Sequence, residues 1–187
     1  MKHLPLLLLL FCLGSCCNKM ELTEEEKNWC PYEEGQTLIF KSNLGNLDTL
    51  QVDSRVENYT NPGCNCVEVS FEQLHYIELV LSLKSNTKTL LHSTVSIMKN
   101  DEGDATYPKL SFFGLTNTLQ DKPTLSKKLR IQATNQLYEH VYKFEDSINA
   151  KNIDDGYLSC FYYDRKNGLV KYVAKDGEIF ELIKKNG

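Results

Sequence analysis

Seven cysteines, four histidines and 25 acidic residues are the groups in this 187-residue chain that could do chemistry. Their spacing decides what kind. Trp29-Cys30-Pro31-Tyr32 has the outline of a dithiol redox centre, but Glu33 stands where the second cysteine belongs. No βαβ pattern surrounds it to set a low-pKa thiolate at a helix N-terminus. Cys64-Asn65-Cys66 with His75 or His92 offers soft ligands of the sort copper or zinc takes, yet the paired spacings of closed zinc sites are missing, so no metal is assigned. Asp101, Glu102 and Asp104 flank Gly103 without the spacing of a calcium loop and read as a solvated turn. Gly-x-Ser-x-Gly and His-Glu-x-x-His do not occur. His75, His92 and His140 each sit inside an alternating run and read as strand-face residues. The chain is therefore expected to be no enzyme, with no catalytic residue and no cofactor.

The remaining chemistry is that of export. Met1-Lys2-His3 is a short basic start, and Leu4 to Leu13 is an apolar run of about ten residues, half of what a bilayer span needs. That is the size of the hydrophobic region of a signal peptide. Leu13-Gly14-Ser15-Cys16 then has the form of a bacterial lipobox, in which cleavage precedes a cysteine that takes lipid. A general secretory cut after Ser15 would leave Leu13 at a position that wants a small residue. Cys16 is thus the expected lipid attachment site, with the membrane as partner. Each buried CH₂ is worth about 0.8 kcal/mol, and two or more chains hold a protein firmly. The Asn58-Tyr59-Thr60 sequon is the one feature favouring a eukaryotic secretory route instead. Cys17 follows the anchor where Asp would mark inner-membrane retention, which implies the outer membrane.

Export also sets the reading of the other thiols. Cys12 leaves with the signal and Cys17 is expected to be a bystander or a lesser acylation target. Cys30, Cys64, Cys66 and Cys160 then form the candidate disulfide framework of an oxidising compartment, with three connectivities open. Formal net charge is −4, and −5 once Lys2 has been removed. That balance argues against nucleic acid, whose binding rests on phosphate neutralisation, and against attraction to an anionic membrane face.

The elements that would position these groups are strands. Residues 1–15 are the signal, 16–35 an acidic tether in which Thr23 and Glu26 have capping-box spacing, and 36–187 one β domain. Leu50, Val52, Ser54 and Val56 alternate with polar residues over Thr49 to Glu57. Thr37 to Lys41 pairs with this run through a turn at Asn43-Leu44-Gly45-Asn46. Further strands are expected at Val67–Phe71, Ile77–Leu83 and Leu91–Ile97, with weaker cases at 109–115 and 125–132. Residues 137–148 fit helix or strand, and aromatic and β-branched content favours strand. Asn167-Gly168 and Asp176-Gly177 favour two-residue type I′ turns, giving a meander with Tyr163 opposite Tyr172, Asp164 opposite Lys171, Tyr162 opposite Val173 and Val173 opposite Phe180. About ten short strands imply an all-β antiparallel sandwich or a partly open half-barrel.

Gly35-Gln36-Thr37-Leu38-Ile39-Phe40, Asp48-Thr49-Leu50 and Tyr162-Tyr163-Asp164-Arg165-Lys166-Asn167-Gly168-Leu169-Val170-Lys171-Tyr172 resemble elements of small cell-envelope lipoproteins of Gram-negative bacteria. The resemblance implies a lipid-anchored binding or structural module without catalysis. Some lipoproteins with similar endings are half-barrels that shelter a hydrophobic ligand, so a periplasmic carrier is the alternative it implies. An envelope enzyme with a site assembled from scattered residues is the further rival.

Overall fold

The computed structural model describes residues 17–64, 72–84, 91–100, 104–145 and 158–187. Cys16, Cys66 and the run from Val67 to Phe71 lie outside them. Among the described residues, twelve strands form one curled sheet, an antiparallel half-barrel with a single parallel addition. They are β1 (Asn18–Met20), β2 (Thr37–Ser42), β3 (Leu47–Tyr59), β4 (Glu72–Lys84), β5 (Leu91–Met98), β6 (Lys109–Phe112), β7 (Leu115–Thr118), β8 (Thr124–Arg130), β9 (Leu137–Glu145), β10 (Leu158–Asp164), β11 (Gly168–Ala174) and β12 (Ile179–Asn186). Their spatial order is β7-β6-β5-β4-β3-β2-β12-β11-β10-β9-β8, with β1 alongside β4. A one-turn helix, α1 (Glu24–Lys27), precedes β2.

Alternation explains which side chains fill the curl. Leu38 and Phe40 of β2, Leu50 and Val52 of β3, and Ile77, Leu79 and Leu81 of β4 are fully buried. Each is worth about 1.5–3 kcal/mol relative to exposure. The curl brings β6 and the turn after it against β10 and β11, so that Phe112 meets Phe161 at 5.2 Å between ring centroids and Phe113 meets Tyr172 at 5.2 Å. The interior is thereby packed with rings. Phe40, Phe144, Phe161, Tyr163, Tyr172 and Phe180 are all buried there.

The alternation read over Thr49 to Glu57 stops at Val52. A bulge between Val52 and Ser54 adds a residue to β3, and a bulge changes which side chains point inward. Val56, expected inside, is 44 % exposed. Arg55 reaches the carbonyls of Cys30 and Tyr32 instead, donating through Nη1 at 3.0 and 2.9 Å.

Residues 17–35 do not form a tether. β1 pairs with Glu72–Leu74 of β4, and Leu22, Trp29, Cys30 and Tyr32 are buried in the main core. The capping box at Thr23 and Glu26 is formed on both sides, at 3.2 and 2.7 Å. Glu26 is also held by Lys99 at 2.8 Å. Apolar burial fixes the segment: a chain with a tryptophan, a tyrosine and a leucine to hide does not stay solvated when the end of a sheet is open beside it.

The C-terminal meander forms, but its register differs from expectation. Tyr172 lies opposite Phe161 rather than Tyr163, Lys171 opposite Tyr162 rather than Asp164, and Asp164 opposite Gly168. In the second hairpin Phe180 faces Tyr172, and Val173 faces Ile179. The cause is loop length. A type I′ turn needs positive φ at both central residues, whereas only the glycine of each pair has it, at +84° for Gly168 and +89° for Gly177. Asp164 Oδ1 accepts from the amides of Lys166 (3.0 Å) and Asn167 (2.8 Å), and Asp176 Oδ1 from the amide of Glu178 (3.0 Å). These side-chain turns stabilise three-residue loops. In the first hairpin the three-residue loop shifts the pairing by three at Asp164 and Tyr163, a bulge between Tyr163 and Tyr162 brings the shift back to two for Tyr162 and Phe161, and Phe161 and Tyr163 are both buried. The one-residue shift in the second brings Tyr172 and Phe180 into a stack at 4.7 Å.

Candidate functional site

The cysteines settle differently from the expected framework. Cys17, read as a bystander, is bonded to Cys64 across 47 residues of sequence, with Cα atoms 6.2 Å apart. Cys30 and Cys160 are free and buried, and Cys66 is outside the described residues. Cys17 finds Cys64 because β1 docks on β4 beside the turn that ends β3, a proximity no local spacing announces.

Burial pushes the Cys30 thiol up to about 12, the reverse of what a redox nucleophile needs. Its segment is clamped as well. Tyr163 Oη donates to the Trp29 carbonyl at 2.6 Å, Lys185 Nζ to that of Pro31 at 2.8 Å, and Arg55 to those of Cys30 and Tyr32. Burial also raises the Cys160 thiol. Cys64 is consumed by its disulfide and has no thiolate to give a metal alongside His75 or His92.

Of the histidines, His92 and His140 are exposed strand residues, while His75 is buried between two carboxylates. Its Nδ1 lies 2.9 Å from Glu21 and its Nε2 3.1 Å from Glu57, and its ring stacks on Tyr59 at 4.9 Å. Glu57 also meets Arg55 at 3.2 Å and Lys27 at 3.7 Å. Burial pushes the Glu57 carboxyl up, but the hydrogen bond and charge of Arg55, with Lys27 and His75, hold it below the usual carboxylate range. The Tyr59 hydroxyl, which donates to Glu21, likewise lowers that carboxyl. This network ties residues 21–27 to β3 and β4.

A cleft of about 610 Å³ opens on the other side of α1. Strand β9 creates it. Residues 142–145 of β9 pair with β10, but Leu137, Tyr138, Glu139 and Val141 pair with β8 alone, and His140 takes a φ of +59° where the strand splays. The gap is walled by Glu25 and Asn28, by Gln136 and the β9 residues Leu137–His140 and Tyr142, and by the Asp164–Asn167 turn. Arg165 crosses one side, donating to the Glu25 carbonyl at 2.7 Å and its carboxylate at 3.1 Å, with its guanidinium 5.0 Å from the Trp29 ring centroid. Asp164 forms the buried floor, accepting from two amides and from Asn167 Nδ2 at 2.6 Å. Tyr138 is buried beside it, its hydroxyl raised first by burial and then by the Asp164 charge. Lys166, Asn167, Glu139 and His140 remain at the rim.

A smaller cavity of about 330 Å³ lies over β2, β12 and β11. Glu181 there accepts from the amides of Gln132 (2.8 Å) and Ala133 (3.0 Å) and from Lys171 (3.2 Å). Both cavities face outward, and both have their central carboxylate already paired.

No known family model, curated protein or solved structure matches the chain. The geometry alone therefore carries the functional reading. The cleft was not legible in sequence, because its two walls come from a stretch read as a spacer and from a turn read only for its register. The available clue was the apolar content of Leu22, Trp29, Cys30 and Tyr32, which a spacer does not need.

Proposed function

We propose that this is an exported, lipid-anchored envelope protein whose domain is a non-catalytic recognition module, with the cleft between α1, β9 and the Asp164–Asn167 turn as its contact site. The observation that carries the reading is the Cys17–Cys64 bond. Disulfides persist in oxidising compartments, and this one begins at the residue following the lipobox cysteine. Recognition fits the cleft better than turnover does. Its floor carboxylate accepts three local bonds at Oδ1 and its arginine is spent on Glu25, leaving a rim of amide, lysine, histidine and carboxylate groups suited to a polar partner. Cys30 and Cys160, the free thiols among the described residues, are buried, and burial raises both. A carrier of a hydrophobic ligand would need an apolar hollow, and the interior of the half-barrel is instead filled by aromatic rings. The residue after Cys16 favours an outer-membrane destination.

The test is metabolic labelling with fatty acid combined with mass spectrometry of the mature N-terminus. Label on Cys16 that disappears in Cys16→Ala, with processing blocked, supports the anchor. Mature protein beginning elsewhere, or label that survives the substitution, overturns it.

A further inference from the structure

The fold begins at the residue next to the expected lipid. Cys17 is bonded to Cys64, Asn18–Met20 pair with Glu72–Leu74, and Leu22 is in the core. Consecutive Cα atoms are ~3.8 Å apart, so nothing flexible separates an acylated Cys16 from the domain surface. We infer that the edge formed by β1 and the turn after β3, residues 18–20 and 59–64, is apposed to the lipid headgroups, and that the cleft is thereby confined to partners at that same membrane. This inference rests on acylation of Cys16.

The edge has suitable chemistry. Asn18, Lys19, Pro62 and Gly63 are exposed. Lys19 Nζ sits 4.7 Å from the Tyr59 ring centroid; tyrosine settles at membrane interfaces, and lysine reaches them by burying its stem while its ammonium stays in water. With Glu21 close by, the edge is not basic enough to seek anionic lipid unaided, so contact is imposed by the covalent path. The path also bounds the cleft. Glu25 is eight residues beyond Cys17, and eight residues span at most ~29 Å, so one wall of the cleft stays within about 30 Å of the anchored end. The opposite tip of the molecule, the Asn43–Asn46 turn, lies at the far end of the thirteen-residue strand β3, up to ~40 Å away at a rise near 3.3 Å per residue.

The full-length acylated protein can be reconstituted in phosphatidylethanolamine and phosphatidylglycerol vesicles containing a phosphatidylethanolamine with a photoreactive diazirine on its headgroup, and adducts mapped by mass spectrometry. A second protein carries a ten-residue Gly-Ser insert between Cys16 and Cys17, which adds a spacer of ~17 Å root-mean-square length. Adducts should concentrate on residues 18–20 and 59–64, be absent from 43–47, and be lost in the insert protein while Cys16 stays acylated. Acylated protein with adducts spread evenly over both ends, or unchanged by the insert, overturns the apposition and leaves the anchor standing. Missing acylation overturns the anchor itself.

Discussion

Replacing Gly168 by Ala tests the packing of the N-terminal segment against the meander. Gly168 has φ +84°, and a Cβ there would lie 2.6 Å from Tyr32 Cε1 and closer still to Cζ and Oη. Tyr32 has nowhere to go. It is fully buried, its hydroxyl accepts from the Leu169 amide at 2.5 Å, and Lys185 lies over its ring at 5.0 Å. The left-handed backbone costs about 1 kcal/mol or more for a residue with a Cβ, overpacking about 1–3 kcal/mol, and a buried amide left without its partner about 1–3 kcal/mol. Together these reach roughly 3–7 kcal/mol, against a total stability of about 5–15 kcal/mol for a domain. Gly177→Ala is the control: φ is +89°, but nothing lies within 4 Å of the added methyl, so only the backbone cost remains. With the backbone cost common to both, the difference is roughly 2–6 kcal/mol, and at ~2–4 °C per kcal/mol thermal melts followed by circular dichroism on protein lacking residues 1–16 should place Gly168→Ala at least ~4 °C below Gly177→Ala. Equal melting temperatures would show that Tyr32 does not pack against this turn.

Non-reducing peptide mapping should recover Cys17 joined to Cys64, with Cys30 and Cys160 unreactive to alkylating reagent at pH 8 until denaturant is added; rapid labelling of Cys30 in the native protein would contradict its burial. Burial raises the Glu26 carboxyl, but Lys99 and the Thr23 amide outweigh it and hold the pKa below the usual glutamate range. A depressed folded pKa contributes stability above the unfolded value and loses it as pH falls through the folded one. The urea midpoint should therefore drop below about pH 4.5, less steeply in Glu26→Gln, and an unchanged pH profile in that variant would refute the contribution. Tyr172→Phe removes the buried bond from its hydroxyl to Asp48 Oδ2 at 2.6 Å and should cost about 1.5–3 kcal/mol in urea denaturation; a neutral outcome would mean the carboxylate is satisfied without it. Arg55→Met leaves the Cys30 and Tyr32 carbonyls unpaired and should increase hydrogen exchange selectively across residues 29–33, whereas a uniform or absent change would remove Arg55 as the clamp.

The sequence by itself determined the class of structure and most of its strands, because alternation and turn residues are local properties. Leu50 and Val52, Leu79 and Leu81, and Val95 and Ile97 sit inside as their period requires, and the capping box at Thr23 forms as its spacing says. Residues 137–145 are strand, as their β-branched and aromatic content favours. Tertiary structure decided whatever depended on partners distant in the chain. The bulge at Asp53 turned Arg55 toward the Cys30 and Tyr32 carbonyls and left Val56 exposed. Side-chain bonds from Asp164 and Asp176 lengthened both loops and moved the register. The supposed tether became core because the sheet offered Trp29 and Tyr32 an apolar place to go, and docking β1 on β4 chose Cys17 as the partner of Cys64. The cleft belongs to the same class: its walls lie more than a hundred residues apart in sequence, and only the splay of β9 from β10 opens the space between them.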